Sequence, residues 1–135
     1  MCKRVIHAGV VGQGQALKIV LNGVGAHHLV AFTSMLVLGE RAGLRRETLV
    51  DAFTTGAFAS PSYVGKREKV LARDFSPEFT LAMTLKNCEA NVELQREVKL
   101  PLAVHRECMR EIEEAVREGL GAEDLFALEK HFVAR

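Results

Sequence analysis

The sequence predicts an all-α fold of about six helices around one long N-terminal helix. Three observations carry this. Apolar residues recur at three- and four-residue spacing through most of the chain. No segment shows the alternation of a half-buried strand. Glycine and proline cluster at points that cut the chain into helix-sized lengths. The chain has 135 residues, 48% apolar and 26% charged, which fits one domain (residues 1–135) with a real core. A formal net charge of +1 gives no electrostatic ground for nucleic acid or an anionic membrane as partner.

The elements follow in order. Lys3 to Val11 reads as a short extended lead-in. The first helix is expected to begin after Gly14 and to run to about Ala42, with Gly43 as its stop. At 1.5 Å per residue it would be roughly 40 Å long. Gly23 and Gly25 would let it bend or let a second helix approach closely. The stretch "IVLNGVGAHHLVAFTSMLVLG" (19–39) is apolar enough to suggest a membrane span. Asn22, His27, His28, Thr33 and Ser34 interrupt it, and polar groups inside a bilayer are costly. The expectation is therefore a helix buried on most sides at the centre of the domain.

"RRETLVDAFTTG" predicts a shorter helix with Leu49, Val50 and Phe53 on one face, ended by Gly56. "SPSYVGKREKVLARDFSPEF" predicts one helix from the N-cap Ser60 and Pro61 to about Asp74. "TLAMTLKNCEANVELQREVKLP" places Leu81, Leu85, Cys88 and Val92 inward. Pro101 opens the next helix, with Val104, Cys108, Ile112 and Ala115 or Val116 inward, and Glu113, Glu114, Arg110 and Arg117 as surface charge pairs. "GLG" (119–121) is a turn, and "AEDLFALEKHFVAR" is a short terminal helix.

The three cysteines, Cys2, Cys88 and Cys108, form no CxxC pair. This disfavours a disulfide framework or zinc site and fits a reducing, cytoplasmic compartment. Cys88 and Cys108 read as small buried hydrophobes. His27 and His28 are adjacent and point to different faces, a poor metal pair. No metal is expected, and no Ser/His/Asp arrangement is visible.

Three features remain as candidate chemistry. In "GVVGQGQAL", Leu17 stands where a dinucleotide loop needs its third glycine, and no βαβ unit surrounds it. Gly12 and Gly14 are either a turn capping a helix or a bare helix N-terminus that a ligand approaches closely. Lys18 and Asn22, at i and i+4, share a helix face among apolar neighbours. The lysine either snorkels to water or is partly desolvated and trades protons, with Asn22 holding a substrate beside it. Lys86 and Asn87 lie on a helix face that is either solvated or turned to a cofactor.

Together, "HAGVVGQGQALKIVLN", "LVLGERAGL", "FASPSYVGKREKVLARDFSPEFTLAMTLKN" and "KLPLAVHRECMREIEEAVREGLGAEDLFAL" resemble, in order, the C-terminal half of the β-hydroxyacid dehydrogenase family. That family includes 3-hydroxyisobutyrate, tartronate semialdehyde and glyoxylate reductases, with 6-phosphogluconate dehydrogenase as a relative. The resemblance implies NAD or NADP as cofactor, held mainly by an N-terminal Rossmann domain ahead of this chain and absent from it, through excision or natural truncation. The isolated chain would then be inactive. By the same resemblance Lys18 is the catalytic general acid/base, Asn22 and Gly14 bind a small hydroxyacid, and Gly12 and Lys86 lie toward the cofactor. Two departures stand out: Leu21 replaces the first asparagine of Lys-x-x-Asn-Asn, and Asn87 replaces an aspartate. Imine reductases of this fold usually lack the lysine, so Lys18 points to a hydroxyacid. The family also implies a homodimer or tetramer with the first helix at the interface. The alternative is a non-catalytic helical dimerisation module derived from the family.

Overall fold

The computed structural model describes residues 5–135. Cys2, Lys3 and Arg4 lie outside the described residues, and residues 5–9 carry no regular secondary structure. Among the described residues there are seven α-helices and no strand: α1 (Gln13–Arg41), α2 (Arg46–Thr55), α3 (Pro61–Val64), α4 (Arg67–Ala72), α5 (Leu81–Glu97), α6 (Ala103–Arg117) and α7 (Leu128–Val133). Two 3-10 turns, Leu120–Ala122 and Leu125–Ala127, join α6 to α7.

The 29-residue α1 is about 44 Å long. It starts just before Gly14, because Gly12 takes the N-cap in the left-handed region at φ 95°, leaving Gly14 in the first turn. Its other end closes on Gly43 at φ 89°. The Gly43 amide donates to the Glu40 carbonyl and the Leu44 amide to the Gly39 carbonyl, each at 3.0 Å, which satisfies the orphan carbonyls of the last turn.

One stripe of α1, through Ala26, Leu29, Phe32, Leu36 and Val37, is buried. The ring of Phe32 is the aromatic hub, 4.7 Å from Tyr63, 5.3 Å from Phe53 and 5.5 Å from Phe126 between centroids. Each such side chain removed from water contributes about 1.5–3 kcal/mol. The helix is nevertheless not buried on most sides. Only 33% of its most apolar window is buried, and Val20, Leu21, Val24, Met35 and Leu38 are exposed. The apolar run is two-faced: one face packs on α5, α6 and α7, and the other is open.

The helix predicted from Ser60 to Asp74 is two pieces, α3 and α4, broken at Gly65 and Lys66. Helix α5 begins at Thr80, whose hydroxyl accepts from the Met83 amide at 3.2 Å, an ordinary side-chain N-cap. Helix α6 begins at Ala103 rather than Pro101, with Leu102 as N-cap. Its inward row is His105, Cys108, Ile112 and Ala115, and Val104 is 66% exposed. A buried histidine fills the position that hydrophobic pattern assigned to a valine.

Two polar arrangements lock the bundle. In the first, α1 and α5 meet at Gly23. A β-carbon there would lie 2.6 Å from the Asn91 amide nitrogen. That nitrogen donates to the Ile19 carbonyl at 3.3 Å. Gln95 donates to the Asn91 oxygen at 2.8 Å and accepts from the Leu102 amide at 2.8 Å, so one side-chain relay joins α1, α5 and the start of α6. In the second, the buried Arg46 guanidinium donates to Glu129 at 2.7 Å, to the Val70 carbonyl at 2.6 Å and to Glu40 at 3.2 Å. Arg73 closes that network on Glu40 at 2.9 Å.

Both arrangements generate tests. Gly23→Ala should cost about 1–3 kcal/mol in urea unfolding, because the new methyl must push Asn91 off α1. Glu129→Ala should cost about 1–3 kcal/mol, because it removes one of the two carboxylates on the buried Arg46 guanidinium and leaves Glu40 and the Val70 carbonyl. The exposed Glu68→Ala should fall within about 0.5 kcal/mol of the parent.

Candidate functional site

The Lys18–Asn22 turn sits immediately beside the Gly23 contact. Asn22 is half-buried and lines a cavity of about 230 Å³ between α1, α3 and α5. His28, Ser60, Ser62, Tyr63 and Thr84 also line it. Lys18 lies one turn earlier on the same face, about 6 Å along the axis, and is exposed. The partial desolvation considered for this lysine is therefore not provided by the chain alone. Gly12 and Gly14 are exposed, and a β-carbon at either would meet nothing within 4 Å. The first turn of α1 carries no acidic residue, so the helix N-terminus is open to an anionic group. Lys86 is exposed on α5, and Asn87 beside it is half-buried.

The floor of the cavity is fixed by Asp124, a buried carboxylate. It accepts from the Glu78 amide at 3.0 Å and the Phe126 amide at 3.3 Å. Backbone bonds reinforce this: the Asp124 amide donates to Phe75 and the Leu125 amide to Phe79. Lys66, also on the wall, is 2.5 Å from Glu78 and 3.5 Å from Asp124. Hydrogen bonds from Lys66 and Lys69 hold the Glu78 carboxyl below the usual range. Ser60 stands at the predicted N-cap, but its side chain makes no cap bond and faces the cavity instead.

Tyr63 is 8% exposed, and its hydroxyl is buried without a hydrogen-bond partner. Burial raises its pKa far above that of a free phenol, so the group is a neutral donor. Sequence reasoning passed over Tyr63. The available signal was that it is the chain's one tyrosine, set just after the Ser-Pro helix start.

Two further clusters appear. His105 Nε2 donates to the Cys88 carbonyl at 3.1 Å. In the neutral ring its Nδ1 is then an acceptor, and His27 Nε2 donates to it at 3.1 Å. The two histidines expected to diverge do so: His27 meets His105, while His28 turns to the Tyr63 ring. The second cluster brings Glu111, Glu114 and His131 together with ligand atoms within 4.8 Å, a grouping the sequence did not reveal. Arg110 and Arg135 hold both carboxylates at 2.8–3.0 Å. His131 is buried between Glu111 and Glu118, so the cluster is a satisfied ion network tying α7 to α6. Cys88 and Cys108 are buried free thiols. Burial pushes Cys88 up to about 12 and also raises Cys108, so both are inert packing groups.

Desolvation, then the charge of His105 and that of His28, lowers the His27 pKa below 6.5. As pH falls, the unfolded chain takes its proton first, so stability drops from about pH 6.5 toward the folded value. The urea midpoint should decline over that window. His27→Gln, which can still donate to His105, should flatten the decline.

Comparison with known proteins agrees with this architecture. Residues 12–132 match the family model described as "NAD-binding of NADP-dependent 3-hydroxyisobutyrate dehydrogenase". Glyoxylate/succinic semialdehyde reductase 1 of Arabidopsis thaliana is 29% identical over 93% of this chain and 44% of its own length. 2-(Hydroxymethyl)glutarate dehydrogenase of Eubacterium barkeri is 30% identical over 95% of this chain and 43% of its own. The crystal structure of 3-hydroxyisobutyrate dehydrogenase from Salmonella typhimurium superposes with a TM-score of 0.83 at 23% identity, covering 88% of this chain and 42% of that one. The chain thus spans less than half the length of the relatives it matches.

Proposed function

The chain belongs to the 3-hydroxyisobutyrate dehydrogenase family, and on that premise we propose that it is the substrate-side helical domain of an NAD(P)-dependent oxidoreductase acting on a small 3-hydroxyacid. The single observation that carries this reading is the Lys18–Asn22 turn, with Asn22 on a cavity wall and the lysine one turn outward on the open face. The relatives' names, a semialdehyde reductase and a hydroxymethyl-acid dehydrogenase, support an aldehyde–alcohol couple beside a carboxylate.

In this reading NAD or NADP, held mainly by a Rossmann domain that precedes this one, would supply the hydride chemistry. The residues here fit such a group: the bare Gly12–Gly14 entry and the acid-free first turn leave room for an anion, with Lys86 exposed on the neighbouring helix. Lys18 as a neutral amine takes the hydroxyl proton when the alcohol is oxidised and returns it to the carbonyl oxygen in reduction. Asn22 holds the substrate against α1. Closure of the partner domain over Lys18 supplies the desolvation this chain lacks, strengthening each polar contact at the reacting carbon.

Val20, Leu21 and Val24, exposed beside Lys18, favour a second role for the same helix as an association surface, either for the Rossmann domain or for another copy of the chain. This is also the observation that supports a purely oligomeric module. Fusion behind the nucleotide-binding half of 2-(hydroxymethyl)glutarate dehydrogenase separates the readings. NAD(P)-dependent oxidation of 3-hydroxyisobutyrate is expected, and Lys18→Ala should lower kcat about 10²–10⁴-fold with helix content unchanged. A folded Lys18→Ala enzyme with near-parent rates would remove the lysine from the chemistry.

A further inference from the structure

A second cavity, of about 490 Å³, adjoins the Asn22 cavity and shares two of its walls, His28 and Tyr63. Its remaining lining is apolar, with Phe32, Met35, Phe53 and Phe58 as the large side chains. Where the Asn22 cavity offers an amide and the hydroxyls of Ser60, Ser62 and Thr84, this one offers aromatic and thioether surface. The two together have the composition of a small-molecule site: a mainly apolar volume with a few polar groups gathered at one end. The pocket is open to solvent, with Met35 and Phe58 exposed on its rim, and a methyl substituent would leave most of it unfilled.

Resting on the dehydrogenase reading above, we infer that the two cavities are one substrate site: the hydroxyl and carboxylate sit beside Asn22, and an apolar substituent on carbon 2 passes His28 and Tyr63 into the aromatic compartment. The preferred substrates are then 3-hydroxyacids with a pentyl-sized or larger apolar group at carbon 2. The buried, unpartnered Tyr63 hydroxyl supports the passage. A buried donor left unpaired is costly, and a substrate's oxygens in the cavity that Tyr63 and Asn22 both line would offer it an acceptor. Lys66, on the same wall, is already paired with Glu78 and Asp124, so it adds no free cation there.

The chain has one tyrosine and no tryptophan, so its tyrosine fluorescence reports on this wall alone. Titration of the 135-residue chain with 2-pentyl-3-hydroxypropanoate should give a saturable change in that fluorescence. Unsubstituted 3-hydroxypropanoate should bind at least about tenfold more weakly. Ala31→Leu, a helix-compatible change that fills the aromatic compartment, should weaken pentyl binding about tenfold. Ala59→Leu narrows the same compartment from the loop and replaces it if Ala31→Leu loses helix content. No saturable change, equal binding of the two acids, or a folded filling variant that binds as tightly as the parent overturns the inference. Turnover of 3-hydroxyisobutyrate by the fused enzyme without pentyl binding overturns it while leaving the dehydrogenase reading in place. Pentyl binding that the filling variants weaken, with no turnover of any hydroxyacid by the fused enzyme, leaves one joined binding site but overturns the dehydrogenase reading and with it the substrate role.

Discussion

The close approach of α1 and α5 at Gly23 is the constraint from which the rest of the molecule follows. Only a residue without a β-carbon lets the Asn91 amide reach the Ile19 carbonyl, and the relay continues through Gln95 to the Leu102 amide at the start of α6. That carbonyl lies one residue beyond Lys18, so the turn carrying Lys18 and Asn22 is pinned by α5, which Gln95 in turn ties to the start of α6. A site that must meet a reacting carbon within a few tenths of an ångström needs such support, because loosely held groups lose effective concentration. The aromatic hub around Phe32 and the Asp124 clasp perform the same task for the opposite wall.

Much of this was legible in the chain. The helix ends at Gly43 and Gly56 and the separate directions of His27 and His28 follow from spacing and from the two glycines. Gly43 turns left-handed, and Gly56 keeps a β-carbon off the Ala52 carbonyl. Of the α5 row, Leu81 and Cys88 are buried as expected, but Thr84 and Asn91 take the places read for Leu85 and Val92. What was lost had physical reasons. The run from Ile19 to Gly39 is apolar on two faces, and periodicity cannot tell a face packed on α5 from one left for a partner, so α1 was expected to be more buried than it is. The break at Gly65 and Lys66 falls at a glycine, the weakest helix former between Tyr63 and Asp74, which the apolar pattern alone ran through. In α6, pattern reading counts Val104 as apolar and cannot know that His105, satisfied by Cys88 and His27, takes the core. The Asp124 clasp and the network of Arg46, Glu40 and Glu129 join residues far apart in sequence, beyond the reach of any local signal.

The candidate site was half legible in the same sense. Lys18, Asn22, Gly12, Gly14 and Lys86 stood out from spacing and resemblance, and the fold sets Asn22 at a cavity with Lys18 and Lys86 on open faces. Ser60 and Tyr63, from α3 and its N-cap, and Thr84, from α5, reach the same cavity and carried no shared pattern. The exposure of Lys18 and the bare apolar surface around Leu21 belong together physically. Both describe the open face of α1, the face that the proposed function places against a nucleotide-binding domain.

In the proposed function this turn of α1 becomes a proton-transfer site when a nucleotide-binding domain closes on it. A structure of the assembled enzyme with nicotinamide cofactor and a hydroxyacid tests it most directly. Lys18 Nζ is expected within about 2.6–3.2 Å of the oxygen on the reacting carbon, with Asn22 on the same substrate. A substrate bound elsewhere, with Lys18 still in open water, would contradict it.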